Sequence, residues 1–320
     1  MAKLRKNTSG TESLSLGSGT SQRIKIANRC GFFMILAPLI GFLTFTVYPI
    51  IWVLGTSFFD YDMITYKYIG IENYIKVFKD PLYWNSVWFT IKIVLLTNVI
   101  QIPLALFVAA LLNSKRVYGK SLFRTVYYMP AIISTAIVGL VFSFIFSSYD
   151  GIMNNILEAI GLIDEPISWF SSTGGSTFVI VAVSIWGGMG TNMLFFLAGL
   201  AGIPTELYEA AEIDGANKWQ VFTNVTWPML KPMLQIIVML SITAGLKSSD
   251  LILTLTNGGP GGTTEVVMTY LLKKFIPYDS MDFVPNLGYA SALGIITSII
   301  ISIITLAYLR MSKKMSESVY

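Results

Sequence analysis

Histidine is absent from this chain, cysteine occurs once (Cys30), and charged side chains make up only 12% of its 320 residues. Each shortage excludes a class of chemistry. Without histidine there is no Ser-His-Asp or Cys-His arrangement. The commonest metal ligand and the usual proton shuttle near neutral pH are missing too. One cysteine rules out an internal disulfide framework and any Cys-x-x-Cys metal site. A soluble domain has about a quarter of its residues charged. With far fewer here, 54% hydrophobic residues and a mean hydropathy of +0.65, the chain is a polytopic membrane protein of the all-α class. The net charge of +4 is too mild for a nucleic-acid footprint.

What is present is apolar length. Six stretches exceed the ~20 residues a spanning helix needs: about 30–58, 86–112, 123–147, 177–200, 233–255 and 287–309. Pro38 and Pro49 predict kinks in the first, and Pro130 lies near the inner end of the third. Residues 1–29 are a polar cytoplasmic tail with six basic residues, and no short apolar core makes it a signal peptide. Residues 30–310 form the membrane domain, and 311–320 a short basic tail. Fifteen of the 22 lysines and arginines fall in segments on one side, which puts both termini and the 203–232 loop in the cytoplasm. Lys92 snorkels from the second span towards the interface.

The loops carry little catalytic promise. GIENYIKVFKDPLYW (70–84) predicts an interfacial amphipathic helix with Tyr74, Val77 and Phe78 on one face and Tyr83 and Trp84 in the aromatic belt. Asp150, Glu158, Asp164 and Glu165 read as solvated loop acids, since no metal ligand or second pair supports catalysis. Gly119-Lys120-Ser121 is not a phosphate loop, because Ser114 stands where its first glycine belongs.

The polar insert IPTELYEAAEIDGANKWQVFTNVTWPMLKP (203–232) is different. It predicts two short helices joined at Asp214-Gly215. Thr205 caps the first, and Leu207, Ala210, Ala211 and Asp214 share a face that another surface can approach closely. Asn217 starts the second, which carries Trp219, Phe222 and Thr226 on one side, and Pro228 ends it. Such a segment suits a docking knob.

EAAEIDGANKWQVFTNVTWP (209–228) resembles the EAA motif in the membrane-spanning permease subunits of bacterial ATP-binding-cassette (ABC) importers, with Trp227 where the family usually has leucine. GIENY and LTNGGP (255–260) resemble further segments of its carbohydrate-uptake branch. The resemblance implies six spanning helices in the type I importer permease fold. It implies that Glu209, Ala210, Ala211, Asp214, Gly215 and Ala216 couple to the ATP-hydrolysing subunits. Its implied partners are a second related permease, two ATPase subunits, an extracellular or periplasmic solute-binding protein and the lipid bilayer. No cofactor belongs to this chain; ATP and Mg are bound by the partner ATPase.

The same resemblance points, by position, to a substrate pathway at Gly187, Gly188, Thr191, Ser241, Ala244, Gly245 and Ser248. The family's aromatic and amide sugar contacts near Ala244 and Gly245 are absent here. Asn192 closes the WGGMGTN run on the fourth helix, whose glycines either pack helices closely or free backbone beside a cavity. Lys247 and Asp250, three apart, pair on one helical face, either for packing or for substrate. A permease of the same class for another solute, such as a glycerol-phosphate-like compound, is one alternative; an ion-coupled secondary transporter is the alternative from another class. It needs intramembrane coupling carboxylates, for which Asp250 is the one candidate.

Overall fold

A computed structural model describes residues 32–114, 117–276 and 285–317, with side chains to 313. The expected N-terminal tail (1–29), Lys115 and Arg116, Pro277 and the last residues of the C-terminal tail lie outside the described residues. The chain divides into two units, the first ending at Gly55.

The first unit holds most of helix α1, Phe32–Thr56, apolar on every side. Its irregularity is a π-turn at Leu43–Val47, closed by the Tyr48 N–H bonding to the Leu43 carbonyl. Pro49 follows at once. A proline lacks the N–H and crowds the carbonyl four residues back, and a wider turn absorbs both defects.

In the second unit a short antiparallel hairpin, β1 (Phe59–Tyr61) and β2 (Tyr66–Tyr68), pairs Phe59 with Tyr68 and Tyr61 with Tyr66. This is a small exception to the all-α expectation. The predicted interfacial helix is shorter than 70–84: α2 covers Glu72–Lys79 and stops at Asp80. Val77 is buried, but Phe78 is exposed and stacks on Trp84. Asp80 then starts α3, Pro81–Asn113, its carboxylate accepting from the Leu82 and Tyr83 amides with Pro81 in the first turn. Burial opposes that charge. Hydroxyls of Tyr270 and Tyr289 and the two amides outweigh it and hold the Asp80 carboxyl below the usual carboxylate range. At 33 residues α3 is about 50 Å long, more than a bilayer's hydrocarbon thickness.

The third predicted span is not one helix. α4 (Lys120–Ile132) and α5 (Thr135–Ile145) are bent 95° at Ile133-Ser134. Both break residues are extended, and Pro130 sits in the last turn before them. α6 (Ile152–Ala159) lies in the next loop, and α7 spans Thr173–Ala201 with Ser172 accepting from Gly175 N. α8 (Thr205–Ile213) precedes α9, Lys218–Leu246.

The fifth span also departs from expectation. It begins at Lys218, fifteen residues before 233, and it ends at Leu246. Lys247–Ser249 interrupt it before the short α10, Asp250–Leu255. α11 (Val267–Phe275) and α12 (Leu287–Glu317) complete the chain. Among the described residues, five helices are long and apolar enough to cross a membrane, six if α4–α5 is one span.

Three buried clusters hold the second unit together. Phe89, Val179, Val183 and Leu251 form one, Ala105, Phe196, Leu230 and Ile237 another, and Val77, Tyr83, Leu293 and Ile296 the third. Trp88, Val99, Phe107 and Ile303 stay more than half exposed, as side chains facing lipid do. α3 and α7 make the most extensive pairing, and α5 lies along α10. Gly139 permits the latter: an added Cβ would overlap the Thr254 hydroxyl.

Candidate functional site

Two places invert the ordinary burial rule, in which apolar groups go inside and polar groups out. The first is residues 203–228. Ile203 is buried, but α8 contains no buried residue, and Ile213 and Trp219 are 86% and 71% exposed. Thr205 is the first residue of α8 and makes no capping bond; Pro204 holds the cap position instead. The other end of α8 closes firmly. Gly215 N bonds to the Glu212 carbonyl at 3.1 Å and Ala216 N to the Ala211 carbonyl at 2.9 Å. This is a Schellman closure, and Gly215 supplies the left-handed residue at φ +73°. Asn217 then caps α9 as the sequence predicts, accepting from the Trp219 and Gln220 amides, while Gln220 Oε1 accepts from Asn217 N–H at 2.8 Å.

Pro228 does not end that helix. A π-turn at Phe222–Thr226, closed by Trp227 N–H on the Phe222 carbonyl, precedes it, and the helix runs on to Leu246. The physical reason is the one seen at Pro49. Tyr208 Oη lies 3.2 Å from Thr226 Oγ1 and ties α8 back to the π-turn. Glu209, Ala210, Asp214 and Gly215 are exposed at the tip, with Ala211 and Ala216 half-buried.

The second place is a cavity of about 410 Å³ between α3, α7 and α9. It sits where two helices are both interrupted. Pro130, Ile133 and Thr135 flank the α4–α5 break, and Ser248, Leu251 and Ile252 flank the α9–α10 break. Of the residues suggested for a pathway, Gly187, Gly188, Thr191, Asn192, Ser241, Ala244, Gly245 and Ser248 line it. Lys247 and Asp250 do not. Nor do these two pair: the break parts their helices, Lys247 is exposed, and Asp250 accepts from Ser249 Oγ at 3.0 Å. Ion pairs do form elsewhere among the described residues, as Lys76–Glu72 and Lys273–Glu265.

Sequence reasoning missed the wall contributed by α3, where Thr90, Thr97, Asn98 and Gln101 face the cavity. Thr97 and Gln101 are buried, and polar residues recurring at three- and four-residue steps in an apolar helix are the signal that could have found them. Gly188 makes room for the Gln101 amide, which an added Cβ would overlap, while Gly187 faces open space. Asn192 Oδ1 accepts from Ser241 Oγ at 3.3 Å, leaving Asn192 Nδ2 without a partner. Among the described residues that line the cavity, none is acidic or basic.

A stiff buckle closes one side. Val266, on the cavity wall, starts α11, and Val267 N donates to Thr90 Oγ1 at 2.9 Å. Ahead of it the LTNGGP turn is held by Lys273 Nζ, which donates to the Asn257 carbonyl at 2.7 Å and to Glu265 at 2.9 Å.

The family model for binding-protein-dependent transport system inner membrane components matches residues 101–317, from the middle of α3 to the end of α12. The chain belongs to this family. It is a permease, a transport subunit rather than an enzyme, and a multi-pass membrane protein; membership sets aside the secondary-transporter alternative. It is 33% identical over 283 residues to the arabinooligosaccharides transport system permease protein of Bacillus subtilis, covering 88% of each chain. Its fold matches a bacterial ABC transporter involved in import of the acidic polysaccharide alginate, at 22% identity and TM-score 0.78, over 92% of this permease and 99% of that chain. A second structure, that alginate transporter with an alginate pentasaccharide-bound periplasmic protein, matches at 24% identity and TM-score 0.77, over 92% and 97%. This confirms the type I importer permease fold.

Proposed function

We propose that this permease forms half of the translocation pathway for a sugar or oligosaccharide. A solute-binding protein delivers the solute, and separate ATPase subunits holding ATP and Mg drive it. The single observation that carries the reading is the continuity of α9. One helix of 29 residues starts at the Asn217 cap beside the exposed tip and ends at the cavity wall, where Ser241, Ala244 and Gly245 lie. Through the π-turn it is a lever about 44 Å long, so displacement of the tip is transmitted to the wall. Coupling of that kind requires a two-state element that both sites bias. The two helix breaks at the cavity provide the pivot.

In this reading Glu209 to Ala216 dock on an ATPase subunit in the cytoplasm, with both termini on the same side, as the distribution of basic residues favours. A second related permease supplies the other half. The sugar assignment draws on the arabinooligosaccharide relative and on the alginate transporters of the same fold.

The test is uptake in cells expressing the whole importer. Gly215→Pro demands a negative φ where the backbone holds +73°, and Glu209→Lys reverses the charge at the tip. Both variants are expected to reach the membrane in normal amount with solute uptake abolished. Uptake surviving both changes overturns the proposal.

A further inference from the structure

The cavity's chemistry narrows the solute further, on the reading above that it is the solute path. Its polar groups are all neutral, among them the amides of Asn98, Gln101 and Asn192 and the hydroxyls of Thr97, Ser184 and Ser241. The lining also carries an apolar surface that includes Ile93, Val138, Ile180, Val183 and Phe195. Three of the buried polar atoms that lack a partner belong to this lining, namely Thr97 Oγ1, Asn98 Oδ1 and Asn192 Nδ2. Asn192 is 5% exposed and Gln101 6%. Buried polar groups are nearly always satisfied, so a cluster of unsatisfied ones marks a place where something else completes the bonding.

A sugar fits both surfaces, because its hydroxyls both donate and accept while its C–H faces are apolar. Amide side chains match that pattern, each offering donors and an acceptor. A carboxylate or phosphate does not fit. It would lose water on entering and meet no lysine, arginine or histidine; Lys92 and Lys247, each next in sequence to a lining residue, lie outside the lining. The common fold does not decide this question, since a transporter for an acidic polysaccharide shares it.

We propose that this permease's half of the pathway selects uncharged oligosaccharides over acidic ones. The amides of Gln101, Asn98 and Asn192 are the specificity-determining groups, and Gly188 leaves the room that the Gln101 amide occupies.

The test measures binding to the assembled importer in nanodiscs. The solute-binding protein is left out so that its own preference does not enter, and the nucleotide state is set by ADP or by ATP with vanadate. Radiolabelled neutral oligosaccharides of two to four units are compared with the matching uronates, in which each primary alcohol is a carboxylate. At least one neutral member is expected to bind 100-fold more tightly than its uronate. Gln101→Leu, close in volume, should weaken neutral binding at least tenfold with the importer recovered in normal amount. Ser248→Lys places a cation on an exposed part of the wall and should narrow the neutral-to-uronate ratio at least tenfold. Uronate binding within tenfold of the neutral partner, or no binding by any neutral member, overturns the proposal. Either result leaves the coupling role of residues 209–216 standing, because that is read by the tip variants.

Discussion

The tip at 205–217 and the cavity at the other end of α9 are inverted in opposite senses. The tip shows apolar side chains to solvent, with Ile213 86% exposed, and the cavity hides amides with unmade hydrogen bonds. Neither arrangement is stable for its own sake, because exposed apolar surface and unpaired buried polar atoms both cost free energy. Elsewhere in the second unit charged groups find partners, although Asn73 Oδ1, Ser176 Oγ and Glu265 Oε1 are also buried without one. Asp80 is met by two tyrosines and two backbone amides, and Lys273 by a carboxylate and a carbonyl. The difference separates scaffold from working surface. A paired polar group holds helices where they are, and the three unpaired atoms gathered on the cavity lining leave bonding capacity open in one space.

The largest effect is expected at the tip. Ile213→Glu together with Trp219→Ala removes its exposed apolar surface without touching a buried residue. Uptake should fall at least 100-fold while the importer's membrane level, read by immunoblot, stays normal. A fall in level alongside uptake would show that these side chains stabilise the fold, and the comparison would break. Gly139→Leu tests the scaffold beside the cavity. It drives a side chain into Thr254 and should cost about 3 kcal/mol by overpacking, seen as a lower unfolding temperature in detergent. Gly188→Ala displaces only the Gln101 amide, so the expected result is roughly tenfold weaker solute uptake with an unchanged unfolding temperature.

The smallest effect belongs to Asp80. Its folded-state pKa lies below the ordinary value near 3.9. The stability it contributes is therefore complete above that value and lost as pH falls through the lower, folded pKa. Asp80→Ala should cost about 1–2 kcal/mol at neutral pH, through the lost cap and two stranded tyrosine hydroxyls. The gap to the native chain should close in acid. A gap that does not change between pH 7 and pH 3 would mean that the carboxylate's charge plays no part.

How much was legible varied with the kind of interaction. The first, second, fourth and sixth apolar spans, the helix start at Asn217 and the turn at Gly215 depend on neighbours within a few residues, and they lie where local chemistry puts them. Pro228 misled because a proline's consequence depends on the turn before it. A Thr-rich stretch ahead of Tyr48 and of Trp227 opens into a π-turn, and the helix continues instead of stopping. The breaks at Ile133-Ser134 and Lys247–Ser249 were missed for another reason. Each lies inside an apolar run, and the marks they leave, Ser134-Thr135 and Ser248-Ser249-Asp250, resemble ordinary helix residues until one asks where a new helix could start.

The sequence by itself determined the class of protein, the family and the tip, because composition, span length and a motif of fixed spacing are properties of order along the chain. The tertiary structure alone decided which polar residues share one space, placing Gln101 of α3 against Gly188 of α7 and leaving Lys247 and Asp250 outside. Those groups are far apart in sequence and come together only through helix packing, whose register is set by glycines and by two broken helices.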